Sequence, residues 1–294
     1  MNKKGETISR LEGNKLNFAS DMSQPERINI KKLIASKNEK ALRWIPGFVI
    51  RYLEKILHQD EINQFLHENK DKKNAEWCDA AIDFLDISFS VKSIENIPKD
   101  GKVVLAMNHP LGGIDALILV SALKGHRDDL KFIVNDLLMN LENMQEMFVG
   151  VNKHGKNKSS IRVQIKELFQ SDQAVCIFPA GLVSRQQRKE VKDLVWKKTF
   201  VTYSREYDRT IIPIYIDGGL SNFFYRLARW RKRLGIKMNL EMLYLSNEMF
   251  KLRGRHFQFI VGDAVNKDVL HQGKEDHVLS EEIKEMVYEL RKQL

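Results

Sequence analysis

The chain has 294 residues, 43% of them hydrophobic, which is enough to bury one large core and excludes disorder as its organising state. Lys+Arg 48 against Asp+Glu 39 give a formal net charge of +9, which points to an anionic partner: phospholipid headgroups, nucleic acid or an acidic carrier protein. The polar start MNKKGETISRLEGNKLNFAS lacks the apolar run of a signal peptide, and stretches such as Ala116 to Val120 fall far short of a membrane span, so any membrane contact is expected to be peripheral.

Residues 1–24 carry no sustained periodicity and read as a flexible arm. From 25 to 85 the pattern is helical: Trp44, Phe48, Tyr52, Leu53 and Ile56 recur close to the helical period, followed by Ile62, Phe65 and Leu66 after the turn-like HQDE. This stretch is expected to form a helical annex ahead of a main domain at 86–294. There, short β-branched runs follow one another at Ile87 to Val91, Lys102 to Met107, Lys131 to Val134, Ala174 to Phe178, Ile211 to Ile216 and Phe257 to Gly262. Helical patterns intervene at Asp115 to Lys124, Ser159 to Gln170, Asp193 to Tyr203 and Phe223 to Leu234, and a last helix opens at Ser280, Glu281 and Glu282. Such alternation predicts an α/β fold, a mixed sheet flanked by helices. The two cysteines, Cys78 and Cys176, lie far apart, and Cys176 sits in an apolar run as a buried small hydrophobe, so a reducing, cytoplasmic compartment is expected.

Two stretches can carry chemistry. Asn108-His109-Pro110-Leu111-Gly112-Gly113-Ile114-Asp115 follows one apolar strand and opens a helix, the place in an α/β sheet where side chains are displayed and backbone N–H groups suit developing negative charge. A His with an Asp in reach has the parts of a general base and its orienter, although an isolated His-Asp pair can equally cap a loop. Phe178-Pro179-Ala180-Gly181-Leu182-Val183-Ser184-Arg185 follows another strand; Arg185 offers a fork of donors to an anion, while Pro and Gly by themselves merely turn the chain.

The order of these stretches, followed by the proline-containing strand Ile212-Pro213-Ile214, resembles the glycerolipid (lysophosphatidic acid type) acyltransferases, over roughly residues 87–265. NHPLGGID and FPAGLVSR are most similar to the hemolysin-like and ornithine- or glycine-lipid branch. The resemblance implies His109 and Asp115 as catalytic pair, with Asn108, Gly112, Gly113, Phe178, Pro179, Gly181, Ser184 and Arg185 around the substrates. It also implies that neither a metal nor a cofactor is needed, and that the donor is an acyl carrier protein or CoA thioester and the acceptor a lysolipid. The chain departs from the main family in three ways. Five residues, not four, separate His109 from Asp115. Ala180 stands where a Glu is usual, which favours an amino-acid lysolipid over a glycerol phosphate. The middle motif, matched to Phe148-Val149-Gly150-Val151-Asn152, has no Arg, and Lys153, His154 and Lys156 follow it.

In FFYRLARWRKRLGIK, Phe223, Leu227, Trp230 and Leu234 share one helical face while Arg226, Arg229, Arg231, Lys232 and Arg233 crowd the rest. This pattern suits a helix lying in an anionic membrane interface on the inner face of the cell membrane; a core-packed helix with a solvated basic face has the same periodicity. No nucleic-acid module is recognisable, so nucleic acid is not an expected partner. The rival readings are a lysophospholipid acyltransferase and a non-catalytic membrane- or nucleic-acid-binding protein.

Overall fold

The computed structural model describes residues 28–37, 43–135, 138–151, 158–187 and 190–294. The expected arm at 1–24 and the loop residues Asn152, Lys153, His154 and Lys156 lie outside them.

The helices described ahead of the sheet are α1 (Ile30–Lys37), α2 (Gly47–Ile56), α3 (Gln59–Glu68) and α4 (Asn74–Phe84). In α2 the buried side chains are Ile50 and Ile56, whereas Phe48 remains 66% exposed and Trp44, just before the helix, 87%. Of the apolar residues read at helical spacing, Ile56 turns inward while Trp44, Phe48 and Tyr52 face outward. By contrast, α3 and α4 send Phe65, Trp77, Cys78, Ala81 and Ile82 into the core that the central sheet uses, so the annex and the sheet share one interior.

Seven strands form that sheet: β1 (Ser88–Lys92), β2 (Val103–Met107), β3 (Leu130–Asn135), β4 (Phe148–Val151), β5 (Ala174–Ile177), β8 (Thr210–Ile216) and β9 (His256–Val261). Their order is β1-β9-β8-β2-β5-β3-β4, and every pairing is parallel except β8 with β9. β2 is central: Leu105 lies between Cys176 of β5 and Ile212 of β8. Every residue of β2 is buried, as expected of a parallel strand covered on both faces. Alternate side chains divide the interior. Leu105 and Met107 face α4 and α5 (Gly113–Leu123), while Val104 and Ala106 face α6 (Lys158–Gln170), α7 (Thr199–Glu206) and α11 (Asp276–Glu289).

The expected mixed sheet between helices is present, and three local expectations change. Asp193 to Lys198 is not helical; it runs as a strap from the small hairpin β6 (Arg185–Gln187) and β7 (Glu190–Lys192) to α7. The final helix starts at Asp276, so the acidic residue of its first turn is Asp276 rather than Glu281 or Glu282. Phe148–Val151, read only as a possible motif, is the edge strand β4. Both cysteines are fully buried, and burial pushes the Cys78 thiol up to about 12, consistent with an unreactive packing role. No helix among the described residues is long and apolar enough to cross a membrane.

Candidate active site

β2 and β5 are parallel neighbours, so the loops leaving their carboxyl ends meet, and those loops carry the two motifs. After β2, Gly112 takes φ +73 and ψ −132, a conformation open essentially to glycine, and α5 begins at the next residue. The turn absorbs the extra residue in the His-Asp spacing. His109 Nδ1–H donates to Asp115 Oδ2 at 2.8 Å, and the same carboxylate accepts the Leu111 N–H at 3.1 Å. With Nδ1 so engaged, Nε2 is the ring nitrogen left to act on a substrate.

Asp115 is completely buried, while His109 keeps 19% of its side chain exposed. Burial pushes the Asp115 carboxyl up to about 6, against the pull of His109 and of the Leu111 N–H, so it is still ionised at neutral pH. Its place in the first turn of α5 also favours negative charge. Neither the Gly112 nor the Gly113 N–H meets an acceptor among the described residues, and the space where a Gly113 side chain would stand is open. A helix start with unengaged N–H groups beside a His-Asp pair can hold an oxyanion.

From the β5 side, the Phe178 ring stacks on the His109 imidazole with centroids 4.1 Å apart. The Phe178 carbonyl accepts the Gly181 N–H at 2.9 Å, closing the turn, and Gly181 has φ +65. The Pro179 carbonyl accepts the Lys197 N–H at 3.1 Å. Ala180 is buried in the apolar cluster with Trp196 and Phe200, so this turn offers a substrate no carboxylate from that position.

Other residues expected around the substrates turn inward. Asn108 spans the β2–β8 boundary: its Nδ2 donates to the Ile216 carbonyl at 2.8 Å and its Oδ1 accepts the Ile216 N–H at 2.7 Å, continuing the ladder beyond the strand end. The Ser184 N–H donates to the His109 carbonyl at 2.8 Å, and its hydroxyl, fully buried, donates to Asp193 Oδ1 at 2.5 Å. The expectation of an open anion fork at Arg185 is corrected. Its guanidinium donates to Glu241 Oε1 at 3.0 Å and to the Val183 carbonyl at 2.5 Å, and it lies over the Phe224 ring. Arg231, expected at the membrane, likewise donates through Nε to Glu241 Oε2 at 2.8 Å.

The sequence reading missed Asp193, Trp196 and Glu241. Asp193 and Trp196 fall within an apparent helical pattern, and Glu241 stands in a stretch with no motif, so no local signal marks them.

Comparison with known proteins follows the same lines. A family model described as Acyltransferase matches residues 32–294. The chain is 43% identical over 264 residues to the lyso-glycine lipid O-acyltransferase of Bacteroides thetaiotaomicron, covering 90% of this chain and 97% of that relative. The protein of the same name from Phocaeicola vulgatus is 40% identical over 264 residues, covering 90% and 95%. Among solved structures, the 1-acyl-sn-glycerophosphate acyltransferase PlsC of Thermotoga maritima superposes with a TM-score of 0.50 at 16% identity, over 74% of this chain and 77% of that one, a likeness of fold.

Proposed function

The chain belongs to the acyltransferase family, and from that premise we propose that it moves a fatty acyl group from a carrier thioester to the hydroxyl of an amino-acid lysolipid of the glycine-lipid type. The observation that carries the chemistry is the 2.8 Å pair of His109 with buried Asp115 at the end of the central strand. His109 Nε2 takes the proton of the acceptor hydroxyl as its oxygen attacks the thioester carbonyl. Asp115 supports the resulting imidazolium, and the Gly112 and Gly113 N–H groups receive the oxyanion. When the tetrahedral intermediate collapses, the C–S bond breaks and the thiolate recovers the proton from His109.

The names of the two relatives support the acceptor, as does the absence of a carboxylate at Ala180; Arg185, bound to Glu241, lends no support. Purified protein supplied with an acyl-carrier-protein or CoA thioester is expected to acylate a lyso-glycine lipid in preference to lysophosphatidic acid, read by mass spectrometry of the products. Efficient acylation of lysophosphatidic acid with none of the lyso-glycine lipid would overturn the acceptor and leave the His109 chemistry standing.

The reading includes a peripheral contact with an anionic bilayer. Helix α8 (Asn222–Arg233) buries Phe224, Tyr225 and Ala228 and leaves Phe223, Trp230, Arg226, Arg229 and Arg233 exposed. The Tyr244 ring meets Phe223 at 5.0 Å, and its hydroxyl lies 2.8 Å from that of Tyr52, so the outward stripe of α2 adjoins the outward face of α8. Exposed aromatics on two adjoining helices with arginines beside them match a bilayer interface in which rings sit among anionic headgroups. Replacing Arg226, Arg229 and Arg233 with Glu is expected to weaken binding to anionic vesicles by on the order of 100-fold, at roughly 1 kcal/mol per basic residue. Unchanged co-sedimentation at low and high salt would remove α8 from the membrane surface.

A further inference from the structure

The strap from Asp193 to Lys198 is used by nothing in the mechanism above, yet it holds both motif loops. Asp193 is fully buried and pairs with no Lys or Arg among the described residues. Its Oδ1 accepts the Ser184 hydroxyl at 2.5 Å and the His109 N–H at 3.3 Å, and its Oδ2 accepts the Trp196 indole N–H at 2.9 Å. Its own N–H donates to the Tyr288 hydroxyl of α11 at 2.8 Å, and its carbonyl accepts Gln187 Nε2 at 2.8 Å. Four residues on, the Lys197 N–H reaches the Pro179 carbonyl. The His109 backbone is therefore gripped on both sides, its N–H by Asp193 and its carbonyl by Ser184, while Phe178 lies against the ring.

A purely structural joint would not need a carboxylate here. Neutral acceptors can take three donors, whereas an ionised group without a cation carries the full cost of leaving water. What the charge adds is its field on a histidine that must become an imidazolium. We infer that Asp193 is a positioning residue for acyl transfer: it fixes the His109 backbone against the second motif loop and sets a second negative charge near the imidazole, in addition to that of Asp115. The inference rests on the reading of His109 as general base.

The ionisable groups around the pair are few. Asp115 faces His109 from α5, Asp193 from the strap and Tyr288 lies beneath Asp193 from α11; Tyr225 of α8 is near Asp115, and Arg185 is turned away to Glu241. Burial raises the Asp193 carboxyl above the ordinary range, opposed first by Ser184 and then by Trp196, and Asp193 in turn raises Asp115.

Asp193→Asn removes the charge and keeps most of the shape. It is expected to lower kcat by about 10–100-fold, the range of a lost charged hydrogen bond, with KM little changed. The acid limb of its rate profile moves to lower pH, because the protonated form of Asp115 loses the neighbour that favoured it. Ser184→Ala keeps the carboxyl but removes a donor that favours its ionised form, so Asp193 takes up a proton, and the activity that depends on its charge is lost, at higher pH than in the wild type. Should Asp193→Asn not fold, the direction of the Ser184→Ala limb decides. Folded variants with wild-type kcat and acid limbs would overturn the inference, as would a loss of activity with no movement of either limb. His109→Ala assayed in parallel separates the two readings: full activity there would mean that the base itself is misassigned.

Discussion

His109→Ala is expected to reduce acyl transfer by about 10²–10⁴-fold while the protein keeps its fold, because a lipid hydroxyl is a weak nucleophile without a positioned base. The side chain is partly exposed and packs chiefly on Phe178, so its removal leaves no unpaired buried charge except Asp115, which can take up a proton. Asp115→Asn is expected to lose most of the activity as well, since an amide cannot support the imidazolium. The wild-type enzyme carries the same dependence in its pH profile. The folded-state carboxyl lies at about 6, above the ordinary carboxylate value of 3.8, so it is ionised at neutral pH and takes a proton as the pH falls through about 6. Transfer should fall over that window, earlier than an unperturbed carboxylate would dictate. Single-turnover assays at saturating donor, with circular dichroism to verify the fold, would check both variants. Turnover by a folded His109→Ala protein at the wild-type rate would remove the base from the mechanism.

The stretch that carries His109 and Asp115 is legible because its signals are local. An apolar strand, two glycines and an apolar helix specify the turn that carries His109 to Asp115, and the extra residue between them is taken up at a position whose φ of +73 suits glycine. The α/β alternation was legible for the same reason, since each strand is a short β-branched run with turn residues beside it. What escaped depends on contacts between segments far apart in sequence. Asp193 reaches Ser184 and Tyr288, and Glu241 reaches Arg185, across separations that no periodicity reports. Helix α8 shows why amphipathicity alone misled in part. It has two apolar stripes: burial took Phe224, Tyr225 and Ala228, and the stripe read from the sequence, with Phe223 and Trp230, stayed exposed. The outer stripe remained for another surface, while Arg231, among the arginines assigned to the membrane, was drawn inward by a carboxylate ten residues away.

That carboxylate carries the largest expected effect on stability: Glu241→Ala should destabilise the protein by roughly 3–5 kcal/mol, the usual result of removing one partner from a buried ionic network. Glu241 is completely buried and lies between two guanidinium groups whose side chains are only 11% and 14% exposed, those of Arg185 and Arg231. Its Oε1 accepts from both at 3.0 and 3.3 Å, and its Oε2 accepts Arg231 Nε at 2.8 Å. Without it, two like charges remain close together, and neither can leave easily, because Arg185 is also bonded to the Val183 carbonyl and Arg231 to the Ile236 carbonyl. Burial already pulls the Arg185 guanidinium downward, and Glu241 is the first influence opposing it. Arg231→Ala should cost less, roughly 1–3 kcal/mol, because Arg185 and Glu241 still pair and no like-charge contact is created. Urea unfolding with linear extrapolation would rank the two variants, and a Glu241→Ala protein within about 0.5 kcal/mol of wild type would show that the guanidinium groups find water without it. The consequence reaches the active site. Arg185 directly follows Ser184, whose N–H holds the His109 carbonyl, so the Arg185-Glu241-Arg231 group anchors α8 to the loop that holds His109. Loosening it should therefore cost activity at temperatures where the variant is still folded.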